Sequence, residues 1–465
     1  MIEEADEGRA ESASPGAGRA GSMRGPRIAA AVAATALFAA VAVVLALTTP
    51  WNPLPGHVPG GRAEPDPALD FSPSEIARSR AFDSALNPPA YSGLVAGLVV
   101  ILALGLTPLG ARFIGWVTAR TRRRLPRVVV ATVALTTLLR VAGLPFDIWS
   151  ESVLRRYGLS TQSWPAWLVD QVKSLGVTWV IYTIALLLLY AVVRRFPRYW
   201  WTGAAAGSFL LVVLVSFIYP IAVEPVFNKF HSLPQGRLRT DLLAMAERDG
   251  VPVEDVLVAD ASRRTTSLNA YVSGFGSTRR IVLYDTLLKS PPARVESIVA
   301  HELGHAKRDD VLYGTLVGAL GIAGAMCLLY LLMTSPRLLS RAGVSPSGPP
   351  GPGAGAGGAG GAADPRSIAL VLALVAAGTQ IGAPVQNLVS RRIEARADAH
   401  ALNLTRDPAT FVSMQHELSV RNISDLKPDA VEYLLWLTHP SGPDRIAMAR
   451  SWARMHHVQE PPPPR

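Results

Sequence analysis

The chain has 465 residues, 49% of them hydrophobic and only 17% charged, a charged share below the quarter usual for a soluble domain. Its net charge is +10, and its single cysteine, Cys327, excludes an internal disulfide and a cysteine-built zinc cage. The arginines cluster beside apolar runs, which suits anionic lipid headgroups and a bilayer partner and sets nucleic-acid binding aside.

Residues 1–27 are rich in Gly, Ser, Ala and acid and read as a disordered tail. Hydrophobic stretches long enough to cross a bilayer follow near 28–48, 93–115, 127–147, 175–194, 203–223, 313–333 and 366–388. The first is too long for a signal-peptide core and is followed by more spans, so it reads as an anchor. Trp51, Trp116, Trp149, Trp200 and Trp201 fall near span ends, as interfacial aromatics do. Arg140, Gln380 and Gln386 fall in or near spans, where polar groups face a bundle interior or a cavity. Spans one to five make a transmembrane unit over 28–223.

The hydrophilic stretch 224–312 reads as folded. Leu238–Asp249 is a helix closed by Gly250, and Asp255–Ala259 is a short strand. Leu268–Phe275 and Arg279–Tyr284 read as two strands of a hairpin around Gly276-Ser277. Gly274-Phe275-Gly276 is no nucleotide loop, because a strand and not a helix follows it. Pro291 and Pro292 then precede a helix carrying His301-Glu302-Leu303-Gly304-His305. On a helix, residues i and i+4 share a face, so both imidazoles can meet one Zn²⁺ ion while Glu302 serves as general base.

Spans six and seven, over 313–388, form a hairpin around 335–365, a Pro-, Gly- and Ala-rich segment expected to be a flexible loop. The last span runs into a helix where Glu394 and Asp398 again stand at i and i+4. Alone, among Arg391, Arg392 and Arg396, the two acids would be a solvated face. After the upstream motif, Glu394 can supply the third ligand of a catalytic zinc, and Asp398 can hydrogen-bond a ligand histidine from behind. Two further helices, near 407–420 and 428–438, complete a second soluble part over 389–456, and 457–465 is a proline-rich tail. The fold class expected is mostly α: a bundle of about seven membrane spans with a small α+β metalloprotease domain split by the last two. The ligands flank a pair of spans, so the site lies near a membrane surface or in a cavity roofed by helices.

These motifs resemble the integral-membrane zinc metalloproteases that include the type 1 CAAX prenyl protease. The likeness covers roughly residues 145–455. It rests on Tyr157-Gly158-Leu159-Ser160-Thr161-Gln162-Ser163, Glu224-Pro225-Val226-Phe227-Asn228-Lys229-Phe230, Asn269-Ala270-Tyr271, Ile281 to Leu287, the zinc helix, Glu394 to Asp398, and His439-Pro440 with Arg445. The resemblance implies one zinc per chain on His301, His305 and Glu394, with Glu302 as base. It implies His439 steadying the oxyanion, Arg445 pairing with an acid of the site, and Asn269 and Ala270 presenting an edge strand to an extended substrate.

The activity expected is therefore zinc-dependent hydrolysis of peptide bonds in peptides or membrane-associated proteins. A quality-control protease for damaged membrane proteins is an alternative within that class. A transporter or an inactive zinc scaffold is the rival outside it: the transporter reading lacks paired repeats, and a scaffold would not need Glu302. Sidedness is left open. Arg120, Arg122, Arg123, Arg124, Arg127 and Arg194, Arg195, Arg198 mark their loops as cytoplasmic, and alternation then puts 224–312 outside. The resemblance implies the cytosolic side.

Overall fold

The computed structural model describes residues 23–345 and 361–464. Most of the expected N-terminal tail and the middle of the 335–365 segment lie outside the described residues. The apolar runs form long helices because nothing else satisfies backbone polar groups in lipid. In chain order these are α1 (Arg24–Thr48), a one-turn α2 (Pro67–Asp70), α3 (Pro73–Leu106), α4 (Pro108–Val117), α5 (Arg124–Arg156), α6 (Trp164–Arg195) and α7 (Trp200–Ile218). A short α8 (Glu224–Phe227) leads into the soluble part: β1 (Phe230–Ser232), α9 (Arg237–Asp249), β2 (Asp255–Ala259), β3 (Ala270–Ser273), β4 (Arg280–Tyr284) and α10 (Pro292–Lys307). Then come α11 (Asp310–Met333), α12 (Pro336–Arg341), α13 (Ile368–Thr405), α14 (Pro408–Arg421), α15 (Ala430–Leu435) and α16 (Gly442–Met455). Seven helices are long and apolar enough to cross a membrane.

Local chemistry sets the ends of these elements. Ser72 caps α3 in a reciprocal capping box with Glu75, and Pro73 fills the first turn. The helix therefore starts some twenty residues ahead of the apolar run expected over 93–115, and it stops at Leu106. Thr107 caps α4, which Pro108 opens, so the expected second span is a long helix and a short one meeting at a break. Gly250 (φ 73°) closes α9 as a left-handed cap. The first hairpin strand is shorter than expected because Gly274 (φ 94°) turns the chain out of it.

The sheet has the order β1-β2-β4-β3. β2 and β4 run parallel, pairing Val256 with Ile281, and β3 runs antiparallel to β4, pairing Ala270 with Leu283. β3 is thus an edge strand. The three-residue β1 and the C-terminal α16 are additions to the sequence reading, and the two ends of the 335–365 segment carry ordered structure, with α12 at Pro336–Arg341. One core, built from Leu242, Val256, Ile281, Val299, Phe411 and Trp452, joins sheet and soluble helices. A second, with Ile114, Leu135, Tyr330 and Ile368, lies in the bundle. Cys327 is buried there.

The bundle has two chemically distinct ends. At one, Ala63 N–H donates to Ser451 Oγ (2.9 Å), Arg78 donates to the Tyr157 carbonyl (3.1 Å), and Ser160 bridges to Thr265. Asp70 and Arg450 form a buried ion pair (Nη1–Oδ2 3.0 Å) that staples the α1–α3 connection onto α16. At the other end, Arg27 donates to the Thr334 carbonyl (3.2 Å) and Tyr330 to the Arg198 carbonyl (2.8 Å), while α4 packs on residues 365–367. Within the bundle, Arg140 pairs with Asp147 (2.7 Å) on α5 and donates to Gln171 on α6, the internal partners an intramembrane arginine requires.

Candidate metal centre and its surroundings

On α10, Val295, Val299 and Leu303 form one face, fully buried against the soluble core. That packing turns His301, Glu302 and His305 toward a cavity of about 1210 Å³, which Glu394 and His439 also line. His301 Nε2 and His305 Nε2 stand 3.2 Å apart. Glu394, projecting from α13, places Oε2 3.2 Å from His301 Nε2 and Oε1 3.4 Å from His305 Nε2. Among the described residues these three form the one group with metal-ligating atoms so gathered. Tetrahedral coordination at about 2.0–2.1 Å needs ligand atoms roughly 3.3–3.4 Å apart, so the donor set has the right size and chemistry.

Each imidazole is held from behind by a carboxylate. His301 Nδ1–H donates to Asp398 Oδ1 (2.8 Å), and His305 Nδ1–H donates to Asp310 Oδ2 (2.9 Å). Both contacts leave Nε2 as the lone-pair nitrogen facing the partner donors. The Asp398 carboxylate is fully buried and receives Arg445 through Nε (2.8 Å) and a second guanidinium nitrogen. Turned with its amide oxygen toward that guanidinium, the buried Gln415 accepts from Arg445 at 3.1 and 3.2 Å. Asp310 likewise receives Arg396.

The charge balance shows what the cluster lacks. Burial opposes charging His305, yet hydrogen bonds to Asp310 and Glu394 override it and push the ring up to about 10. His301 is raised in the same way against its burial, chiefly by the Asp398 charge. The carboxylates call for positive charge at the point where the two Nε2 atoms meet. Burial pushes the Glu302 carboxyl above its usual range, against the pull of both imidazoles, which is the tuning a general base near neutral pH needs.

His439 reaches the same cluster from the α15–α16 connection, with Nε2 3.5 Å from Glu394 Oε1 and Nδ1 2.8 Å from Thr438 Oγ1. Its side chain is 61% exposed, and that surface faces the cavity. Burial of the ring among protein atoms holds it below the usual histidine range. The connection is tied to α13: Arg391 donates to the Tyr433 carbonyl (2.6 Å) and stacks on its ring, and Asn387 donates to the Leu435 carbonyl (2.7 Å). Asn269 and Ala270 line the cavity at the start of edge strand β3, with the Asn269 carbonyl accepting from Tyr284 (3.0 Å).

The structure thus brings together His301, Glu302, His305, Glu394, Asp398, His439 and Arg445, with Asn269 and Ala270 on the cavity wall. Three contributors escaped the sequence reading. Asp310 has a spacing signal, five residues past His305, but no periodicity singles it out. Gln415 carries no signal. Arg391 reads as a solvated charge and is buried. A polar cluster behind the metal helix also had no signal: Asp249 accepts from Lys307 (2.6 Å) and His400 (2.9 Å).

A multi-span helix bundle joined to a soluble unit with a histidine–histidine–carboxylate cluster defines a membrane metalloprotease. Residues 232–453 match the model of peptidase family M48, and residues 90–229 match the CAAX prenyl protease N-terminal model of five membrane helices. The chain belongs to this family of membrane metalloproteases. It is 28% identical to the uncharacterized metalloprotease YhfN of Bacillus subtilis (strain 168), over 85% of this chain and 90% of that one. It is 31% identical to CAAX prenyl protease 1 of Saccharomyces cerevisiae, over 38% of this chain and 40% of that one. The crystal structure of S. mikatae Ste24p shares the fold, with a TM-score of 0.68 at 20% identity, covering 92% of this chain and 97% of that one.

Proposed function

We propose that the protein is a zinc metalloendopeptidase that hydrolyses peptide bonds in peptides or membrane-associated proteins. His301, His305 and Glu394 would hold one zinc ion. The observation that carries this reading is the convergence of their donor atoms at 3.2–3.4 Å in the wall of a large cavity. A bound zinc ion supplies Lewis acidity there, lowering the pKa of water toward about 7 and polarising a scissile carbonyl.

The protein's own groups do the rest. Glu302 takes the proton of the attacking water and hands it to the leaving amine. His439, uncharged at neutral pH, donates its ring N–H to the developing oxyanion. Asp398 and Arg445 fix the tautomer and tilt of His301. Asn269 and Ala270 offer the free edge of β3, so an extended substrate adds as a further strand over the metal helix. Glu302→Gln should bind zinc as the parent does and lose peptidase turnover. Near-parental cleavage of a fluorogenic peptide by that variant refutes the role.

A further inference from the structure

We propose that the bundle end remote from the catalytic chamber docks on anionic phospholipid headgroups of the cytoplasmic leaflet, so that the chamber opens on the exoplasmic side. The inference does not depend on the metal. It rests on how the fold sorts charge between the two ends of the bundle.

Seven spans place successive connections on alternate faces. The structure shows which connections share a face. The 49–72 connection is stapled to α16 by Asp70 and Arg450, and 157–163 bridges to the sheet domain at Thr265. Both therefore lie on the chamber side. The turns 107–123, 196–199 and 334–344 meet one another and the first turn of α1 at the other end.

Arginine is concentrated at that second end. Arg120, Arg122 and Arg123 are exposed between α4 and α5, and Arg194, Arg195 and Arg198 are exposed between α6 and α7. Arg337 and Arg341 continue the collar on α12. Among the described residues of these turns the acidic side chain is Asp364, which Arg366 neutralises at 2.8 Å. By contrast, 157–163 carries no charge, and 49–72 sets Arg62 against Glu64, Asp66 and Asp70. Exposed Trp116, Phe196 and Tyr199 stand among the collar arginines, with the Arg195 guanidinium 5.1 Å over the Phe196 ring. Amphipathic rings interleaved with arginine mark the headgroup level of a bilayer. Short basic connections are retained on the cytoplasmic side, where the anionic leaflet attracts them. The collar thus decides against the cytosolic chamber that the family resemblance implies.

The test uses the full chain with Cys327→Ala, which removes its sole thiol. Gln235→Cys reports the chamber side and Ser345→Cys the collar side, and both positions are exposed. A membrane-impermeant maleimide should label Gln235→Cys in right-side-out vesicles only and Ser345→Cys in inside-out vesicles only. Any other pattern overturns the placement. For the headgroup contact, parent and an Arg122→Ser/Arg123→Ser/Arg194→Ser/Arg195→Ser variant are reconstituted in phosphatidylglycerol and in phosphatidylcholine vesicles. The rise in thermal midpoint that phosphatidylglycerol gives the parent should be at least halved in the variant. An undiminished rise overturns the docking.

Discussion

Asp398 Oδ1 lies 2.8 Å from His301 Nδ1, and the same carboxylate is forked by Arg445, so one buried acid joins the metal helix α10 to the last helix α16. Arg445 is in turn 3.2 Å from the His301 ring, which closes a three-member ring of contacts around Nδ1. A carboxylate behind a ligand imidazole raises its basicity and fixes its orientation. Asp398→Asn should therefore weaken zinc binding roughly 10–100-fold, and competition against a calibrated chelator reads this directly. An unchanged zinc affinity would show that Arg445 alone orients the ring.

Asp310 plays the corresponding part for His305, at 2.9 Å. Asp310→Asn should lower zinc affinity on the same scale of roughly 10–100-fold. It also strips Arg396 of its partner, so the thermal midpoint should fall as well. Parental zinc affinity in this variant would demote Asp310 to a purely structural acid.

Gly304 is where the two metal-bearing helices come closest: a Cβ added there would stand 3.0 Å from His400 Cβ and 3.1 Å from its ring. The neighbour is a side-chain root on a long helix and yields little. Gly304→Ala should cost about 1–3 kcal/mol of stability and pry Glu394 from the two histidines. Thermal unfolding and zinc stoichiometry check both halves. A variant as stable and as fully loaded as the parent would show that α10 and α13 slide freely.

Asp425 and Glu432 stand in an acidic cluster beside α15. Burial pushes the Asp425 carboxyl up, helped by Asp429 and opposed by the Lys427 amide and Arg80. Burial raises Glu432 too, with Asp425 and Asp429 adding repulsion. The folded state thus holds these protons more tightly than the unfolded chain. Stability is greatest below the unfolded carboxylate pKa of about 4 and is lost as pH rises through the raised values. Asp425→Asn should stabilise by about 0.5–1 kcal/mol at pH 7, discounted for solvent screening, and do nothing at pH 4. Thermal midpoints at the two pH values read it, and an equal gain at both would mean that repulsion is not the cause.

The seven spans were legible because hydrocarbon demands about twenty apolar residues per crossing, a signal that survives without neighbours. The metal helix and the Glu394–Asp398 helix were legible because i and i+4 spacing places both pairs on one face. What stayed hidden depends on contacts remote in sequence. The early start of α3 comes from Ser72 and Glu75 capping a polar stretch, and a hydropathy window is blind to that. α16 mixes arginines with alanines and one tryptophan. Its helical character rests on the Ser441–Asp444 capping box and on Trp452 packing into a core assembled from distant segments. Asp310 and Gln415 matter only through the side chains they face.

The Asp398–Arg445 fork also governs when the site can mature during synthesis. A nascent chain ending before Gly442 already holds all three donor groups, yet its Asp398 charge has no guanidinium to balance it and its α1–α3 connection has no Arg450 to grip. Full assembly of the proteolytic machinery thus waits for the final helix to leave the ribosome, by which time every span has been made.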